Sequence, residues 1–217
     1  MNRKELIKRY CLFIISLFFS AFGVAITKHG ELGVSPISSV ANVMSFQFSS
    51  LSLGVWLIIW NCALVLGQIL ILRRKFQLIQ LLQIPLSFLF GYFTDLGMRC
   101  ASYLPAATYA SRLLCVLSGT VILGFGISLA VAADVIMNSG EAFVKAIADQ
   151  AHKNFGNVKI GFDICCVIGS VLLSLWFFDG QVIGTREGTI FTALFTGITV
   201  KFFVRVTNDR IRSLLIR

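Results

Sequence analysis

Six runs of apolar residues divide this chain, at 10–27, 51–72, 78–97, 113–133, 160–178 and 189–206, with short polar segments between them. Each is close to the roughly 20 residues that carry a helix across the hydrocarbon of a bilayer. Backbone N–H and C=O groups find no water there, so runs of this length must close their hydrogen bonds internally, as helices. Charged residues make up only 13% of the sequence, against about a quarter in soluble domains. The expected architecture is an all-α integral membrane protein, a single membrane domain over residues 1–217, with the lipid bilayer as its first partner.

A net charge of +9 invites a nucleic-acid reading, but Lys and Arg stand at the ends of apolar runs rather than along one soluble face, so no nucleic-acid partner is expected. Placing the N-terminus inside collects Arg3, Lys4, Lys8, Arg9, Arg73, Arg74, Lys75, Lys145, Lys153, Lys159, Arg210, Arg212 and Arg217 on the inner side, with Lys201 and Arg205 toward it. Lys28, Arg99, Arg112 and Arg186 remain outside. The positive-inside rule therefore puts both termini on the cytoplasmic side. The run from Tyr10 is read as a first span rather than a cleaved secretory signal, because it has a counterpart later in the chain. Cys11, Cys62, Cys165 and Cys166 lie inside apolar runs without ligand spacing or a companion His. They read as small buried hydrophobes, and no metal or cofactor is expected. Cys100 and Cys115 flank a loop, and no disulfide between them is expected.

Two stretches between the spans are neither simple loops nor full spans. In the first, Leu32 to Ser49, Ser35 and Pro36 read as an N-cap and first helical residue. Ser38, Asn42, Ser45 and Ser49 then recur at helical spacing on one face, with Ile37, Val40, Ala41, Met44 and Phe48 on the other. In the second, Asn138 and Ser139 are placed to cap a short helix from Gly140 to Lys153 whose polar stripe is Glu141, Lys145, Asp149 and His152. The order of parts is long span, short capped helix, span, span, and then the same again. Gly23 aligns with Gly126, Ser38 with Glu141, Asn42 with Lys145, Gly54 with Gly161 and Gly91 with Gly197, at offsets of 103 to 107 positions. An odd number of spans per half makes the halves cross in opposite senses. The expectation is two inverted three-helix repeats, about 10–98 and 112–206, each with an interrupting half-helix. Transporters are built this way, with the solute at the repeat interface.

Five stretches carry a family resemblance: LGVSPISS from Leu32, QIPLSFLFGYFTDLGM from Gln83, DVIMNSGEAFVKAIA from Asp134, VKIGFD from Val158 and REGTIFTALFTGITVKFF from Arg186. Together they resemble the YczE/YyaS/YitT-like bacterial membrane proteins, the FGYFTDLGM and MNSGEAF stretches being most similar to the YczE branch. The resemblance implies a multi-pass protein of the bacterial inner membrane, in a family presumed to transport, and leaves the substrate open.

Ionisable groups in or beside spans are expensive and carry functional hypotheses. The site expected between the two short helices takes Ser35, Ser38, Ser39 and Asn42 from one half and Asn138, Ser139 and Glu141 from the other. Asp134 or Glu141 is the candidate proton or cation coupler, since a carboxylate in a dry cavity is protonated more readily. Against these stand local readings: Glu141 paired with Lys145, Asp95 with Arg99, Asp163 with Lys159, and Lys201 snorkelling. Asn61 and Gln68 read as interhelical hydrogen-bonding groups, and Pro85 as a kink. The expected function is a secondary-type transporter of a small polar solute, zwitterionic or amine-bearing, working by alternating access. The alternative is a membrane scaffold or regulator acting through a protein partner. An enzyme is not expected, for the chain has no HExxH and only His29 and His152 as histidines. Six spans also suggest a homodimer, to which the glycine faces of the span at 113–133 could contribute or not; the sequence leaves both open.

Overall fold

The computed structural model describes residues 3–216. Its α-helices are α1 (Arg3–His29), α2 (Pro36–Gln47), α3 (Leu53–Leu72), α4 (Gln83–Ala101), α5 (Tyr109–Ala133), α6 (Ser139–Ala151), α7 (Phe155–Phe177) and α8 (Glu187–Ile216). Six of them, α1, α3, α4, α5, α7 and α8, are long and apolar enough to cross a membrane. The helices α2 and α6, of 12 and 13 residues, are too short to do so. The side chains of Arg210, Arg212 and Arg217, used in the charge count, lie outside the described residues.

At the centre α1 crosses α5. Their backbones come so close that a Cβ added to Gly23 would stand 2.5 Å from the Leu123 backbone nitrogen, and one on Gly126 at 2.5 Å from that of Ser20. Gly119 meets Thr27 in the same way, at 2.7 Å from its nitrogen. Helices in lipid gain little from burying apolar surface against each other, so close backbone approach through small residues is what holds such a pair. The glycines of α5 are therefore consumed within the protomer, Gly124 against Thr199 of α8 included.

The larger of the remaining interfaces come in matching pairs, with one exception. α4 packs on α1 as α8 packs on α5; α7 packs on α2 as α3 packs on α6; and α3 packs on α2 as α7 packs on α6. One pairing has no mate. α3 and α4 share a substantial interface, and none comparable joins α7 to α8.

Several local expectations are corrected. Pro85 is the third residue of α4, in the first turn where no intrahelical N–H bond is lost, and it does not kink a helix; the residues before it, Leu78–Leu82, form a separate 3-10 turn. Asp95 does not pair with Arg99. It accepts from the Gly54 backbone N–H at 2.9 Å and from the Ser52 hydroxyl at 2.5 Å, tying α4 to the start of α3. All six cysteines are free, but of the four read as buried only Cys166 is; Cys11 and Cys165 are exposed and Cys62 is half-buried.

The α1–α5 crossing makes a direct prediction. Gly126→Val should destabilise the protein by about 1–3 kcal/mol through overpacking, seen as a lowered unfolding temperature in detergent. Gly169→Val, with nothing within 4 Å of its added Cβ, should leave that temperature in place.

Candidate functional site

The two short helices point their first turns at each other. A Cβ on Gly140, at the start of α6, would stand 2.9 Å from Ile37 Cδ1, at the start of α2. Ser35 and Asn138 occupy the N-cap positions, yet neither side chain bonds back to its own helix amides. Ser35 donates instead to the Ser38 hydroxyl at 3.0 Å. At the start of α6 a backbone amide is met instead by the Glu141 carboxylate, in the first turn where the partial positive charge of the helix is concentrated.

Between the helices lies a cavity of about 570 Å³. Ser35, Pro36 and Ser38 line it from α2, and Asn138, Ser139 and Glu141 from α6. Most of its wall is apolar, from residues such as Phe13, Leu17, Leu57 and Ile127 of the surrounding spans. Its ionisable lining residues are Glu141, Lys159 and Asp163 of α6 and α7, and Lys201 of α8. Lys159 is bound to both oxygens of Asp163 at 2.5 Å, the local pair expected from their spacing. Glu141 does not pair with Lys145, which is exposed. Burial raises the Glu141 carboxyl above its ordinary value, and the positive charge of Lys159 works against that shift. Two further lining residues, Ser20 and Trp60, hold a hydroxyl and an indole N–H that are buried and find no partner among the described residues.

Of the residues expected at the site, Ser35, Ser38, Asn138, Ser139 and Glu141 meet in this cavity. Ser39, Asn42 and Asp134 stand outside it. The Ser39 hydroxyl is fully buried and donates to the Pro36 carbonyl at 2.6 Å and to the Cys166 carbonyl at 3.3 Å, fixing α2 on α7. Asn42 is likewise buried, with both ends of its carboxamide engaged. Its Oδ1 accepts from Lys28, whose ammonium also lies over the Phe46 ring, and its Nδ2 donates to the Gly184 carbonyl at 2.6 Å. Asp134 is exposed, in the left-handed region at the C-cap of α5 (φ 49°), one turn beyond the last lining residue of that helix.

The start of α6 is held by a network that crosses three elements. Gln68 of α3, fully buried, donates to Gln83 Oε1 of α4 at 3.0 Å and to the Ser139 carbonyl at 3.2 Å. Gln83 returns a bond to Gln68 Oε1 at 3.2 Å, and the Ser87 and Ser139 hydroxyls meet at 3.3 Å. On the opposite side the segment before α2 is stitched to the start of α8, where the Gly188 N–H donates to the Leu32 carbonyl at 2.8 Å. Sequence reading reached Gln68 as an interhelical bonding group but not its partners. Asn61, expected to bond between helices as well, has no hydrogen bond among the described residues and lines the cavity instead, as do Gln83, Ser87 and Lys201, which were not expected there.

Residues 7–205 match the profile of a family of unknown function, DUF6198, and the chain belongs to that family. It is similar to a membrane protein of Bacillus subtilis (strain 168) described as "Uncharacterized membrane protein YczE", at 28% identity over 202 residues, which is 92% of this chain and 87% of that one. No solved structure matches. The YczE-like resemblance carried by the motifs is thereby established.

The polar network under α6 is testable. Gln68→Leu removes a buried partner from both the Gln83 amide and the Ser139 carbonyl, and should cost about 1–3 kcal/mol in stability, read as a lower unfolding temperature. Gln68→Glu, which turns a carboxylate toward Gln83 Oε1 and the Ser139 carbonyl in a fully buried site, should cost at least as much.

Proposed function

We propose that this DUF6198 protein is a secondary-type transporter of the bacterial inner membrane, carrying a small solute by alternating access and doing no chemistry on it. In this reading its halves are inverted repeats, both termini are cytoplasmic, and α2 and α6 are half-helices entering from opposite faces. The observation that carries the reading is the convergence of the two helix starts, whose N-cap side chains do not bond back to their own helices, on one cavity that also holds Glu141. Discontinuous helices at a repeat interface are how secondary transporters build solute sites in a bilayer. Irregular backbone at that depth is tolerated where it lines such a cavity.

The solute has a polar group, held by Ser35, Ser38, Asn138 and Ser139, and a body that suits apolar walls. Of the two coupling candidates, Glu141 alone lines the cavity. A carboxyl whose proton affinity is raised by burial binds a proton from the more acidic side and releases it where water returns. A scaffold acting through a protein partner needs neither the cavity nor a buried acid, and is the rival that binding data would separate.

The test begins with thermal-shift screening of the purified protein against small metabolites, since a specific ligand stabilises by mass action. Flux of the resulting hit into proteoliposomes should follow an imposed pH gradient. Glu141→Gln, which imitates the protonated acid, should abolish that dependence while ligand stabilisation persists. Gradient-driven flux unchanged in Glu141→Gln would remove the coupling role, and a full panel without any stabilising ligand would favour the scaffold.

A further inference from the structure

The two halves part company where α7 faces α8. In the first half Asp95 clamps α4 to the start of α3 through Gly54 and Ser52, and a Cβ on Gly91 would stand 2.6 Å from the Gly54 carbonyl oxygen. The offsets that align Gly54 with Gly161 and Gly91 with Gly197, 107 and 106 positions, carry Ser52 onto Lys159 and Asp95 onto Lys201. A hydroxyl and a carboxylate in one half are two ammonium groups in the other. Nothing lies within 4 Å of a Cβ on Gly161 or Gly197, where the matching glycines of the first half are in contact. Both lysines line the cavity.

We infer that Lys159 and Lys201 form a subsite for an anionic group of the ligand, a carboxylate or phosphate, which bridges α7 and α8 as the Asp95 carboxylate bridges α4 and α3. The inference rests on the transporter reading of the same cavity and names the class of its solute: an anion with an apolar body, rather than the amine considered from sequence. Lys159 spends part of its donor capacity on Asp163, while Lys201 has no hydrogen bond or ion pair among the described residues. The ionisable side chains lining the cavity on α6, α7 and α8 are Glu141, Asp163, Lys159 and Lys201, whose formal charges cancel; the lining residues from α1 to α5 include none. Protonating Glu141 leaves one positive charge unbalanced, so an anion and a proton enter together. Lys201 is exposed and Lys159 half-buried, so both ammonium groups are open to an anion entering the cavity between the glycine faces of α7 and α8.

The full-length protein in phosphatidylcholine nanodiscs can be titrated calorimetrically with benzoate and phenyl phosphate, and with benzylamine as the cationic counterpart. The two anions should bind, more tightly at mildly acidic than at alkaline pH, and benzylamine should not. Lys201→Gln should weaken anion binding by about tenfold or more, as loss of one charged hydrogen bond does, and Lys201→Arg should restore it. Glu141→Gln should keep anion binding and lose its pH dependence. Repeating the titration with phosphatidylglycerol in the discs separates the sources of the anion: competition with benzoate assigns the subsite to a lipid headgroup, and unchanged affinity to a soluble solute. Benzoate bound equally well by Lys201→Gln, benzylamine bound in its place, or no anion bound by the wild type would each overturn the subsite. None of those results touches the metabolite screen and the flux of its hit into proteoliposomes, on which the transporter reading stands or falls. Should Lys201→Gln unfold, Lys159→Gln with its own thermal check supplies the same comparison.

Discussion

A helix that begins inside a membrane must hand its first amides to something other than lipid, because each unpaired backbone group there costs several kcal/mol. In the transporter reading two helices begin that way, α2 at Pro36 and α6 at Ser139, and neither takes a side-chain cap from the residue before it. The rest of the bundle can be read as the housing this requires. The α1–α5 crossing, tightened by Gly23, Gly119 and Gly126, supplies the stem. Gln68 and Gln83 hold the Ser139 carbonyl from one side, and Asn42, held by Lys28 and Gly184, fixes α2 from the other.

The charges are distributed with the same economy. Before the loop at 102–108, Asp95 is engaged by α3, Asn42 has two partners and Ser39 bonds two carbonyls. In the second half Glu141 and Lys201 have no ion-pair partner among the described residues, and both line the cavity.

Much of this was legible in the sequence. Runs near 20 apolar residues can do little but span, and Ser35-Pro36 and Asn138-Ser139 announced two short helices within a residue of where they begin. The pairing of Lys159 with Asp163 followed from helical spacing alone. What could not be read was which face each polar residue presents after packing. Asn42 and Ser38 sit one turn apart on the same stripe, yet only Ser38 lines the cavity, since the 178–186 loop covers Asn42 through Gly184. Asp95 was misassigned to Arg99 because local spacing ignores a competitor such as the start of α3, 41 residues away in the chain. Asp134 follows a glycine-rich span as a break residue should, but its left-handed backbone leaves the side chain exposed and outside the cavity.

The packing of α7 has a mechanical consequence. α8 is held along its length by α5 and fastened at its start by the Gly188–Leu32 bond, whereas α7 rests chiefly on the two short helices, α2 and α6. Were the gap between α7 and α8 to narrow, α7 would be the part that travels, and it could not travel alone. A shift of α7 toward α8 would therefore bear on both short helices, whose starts face the cavity.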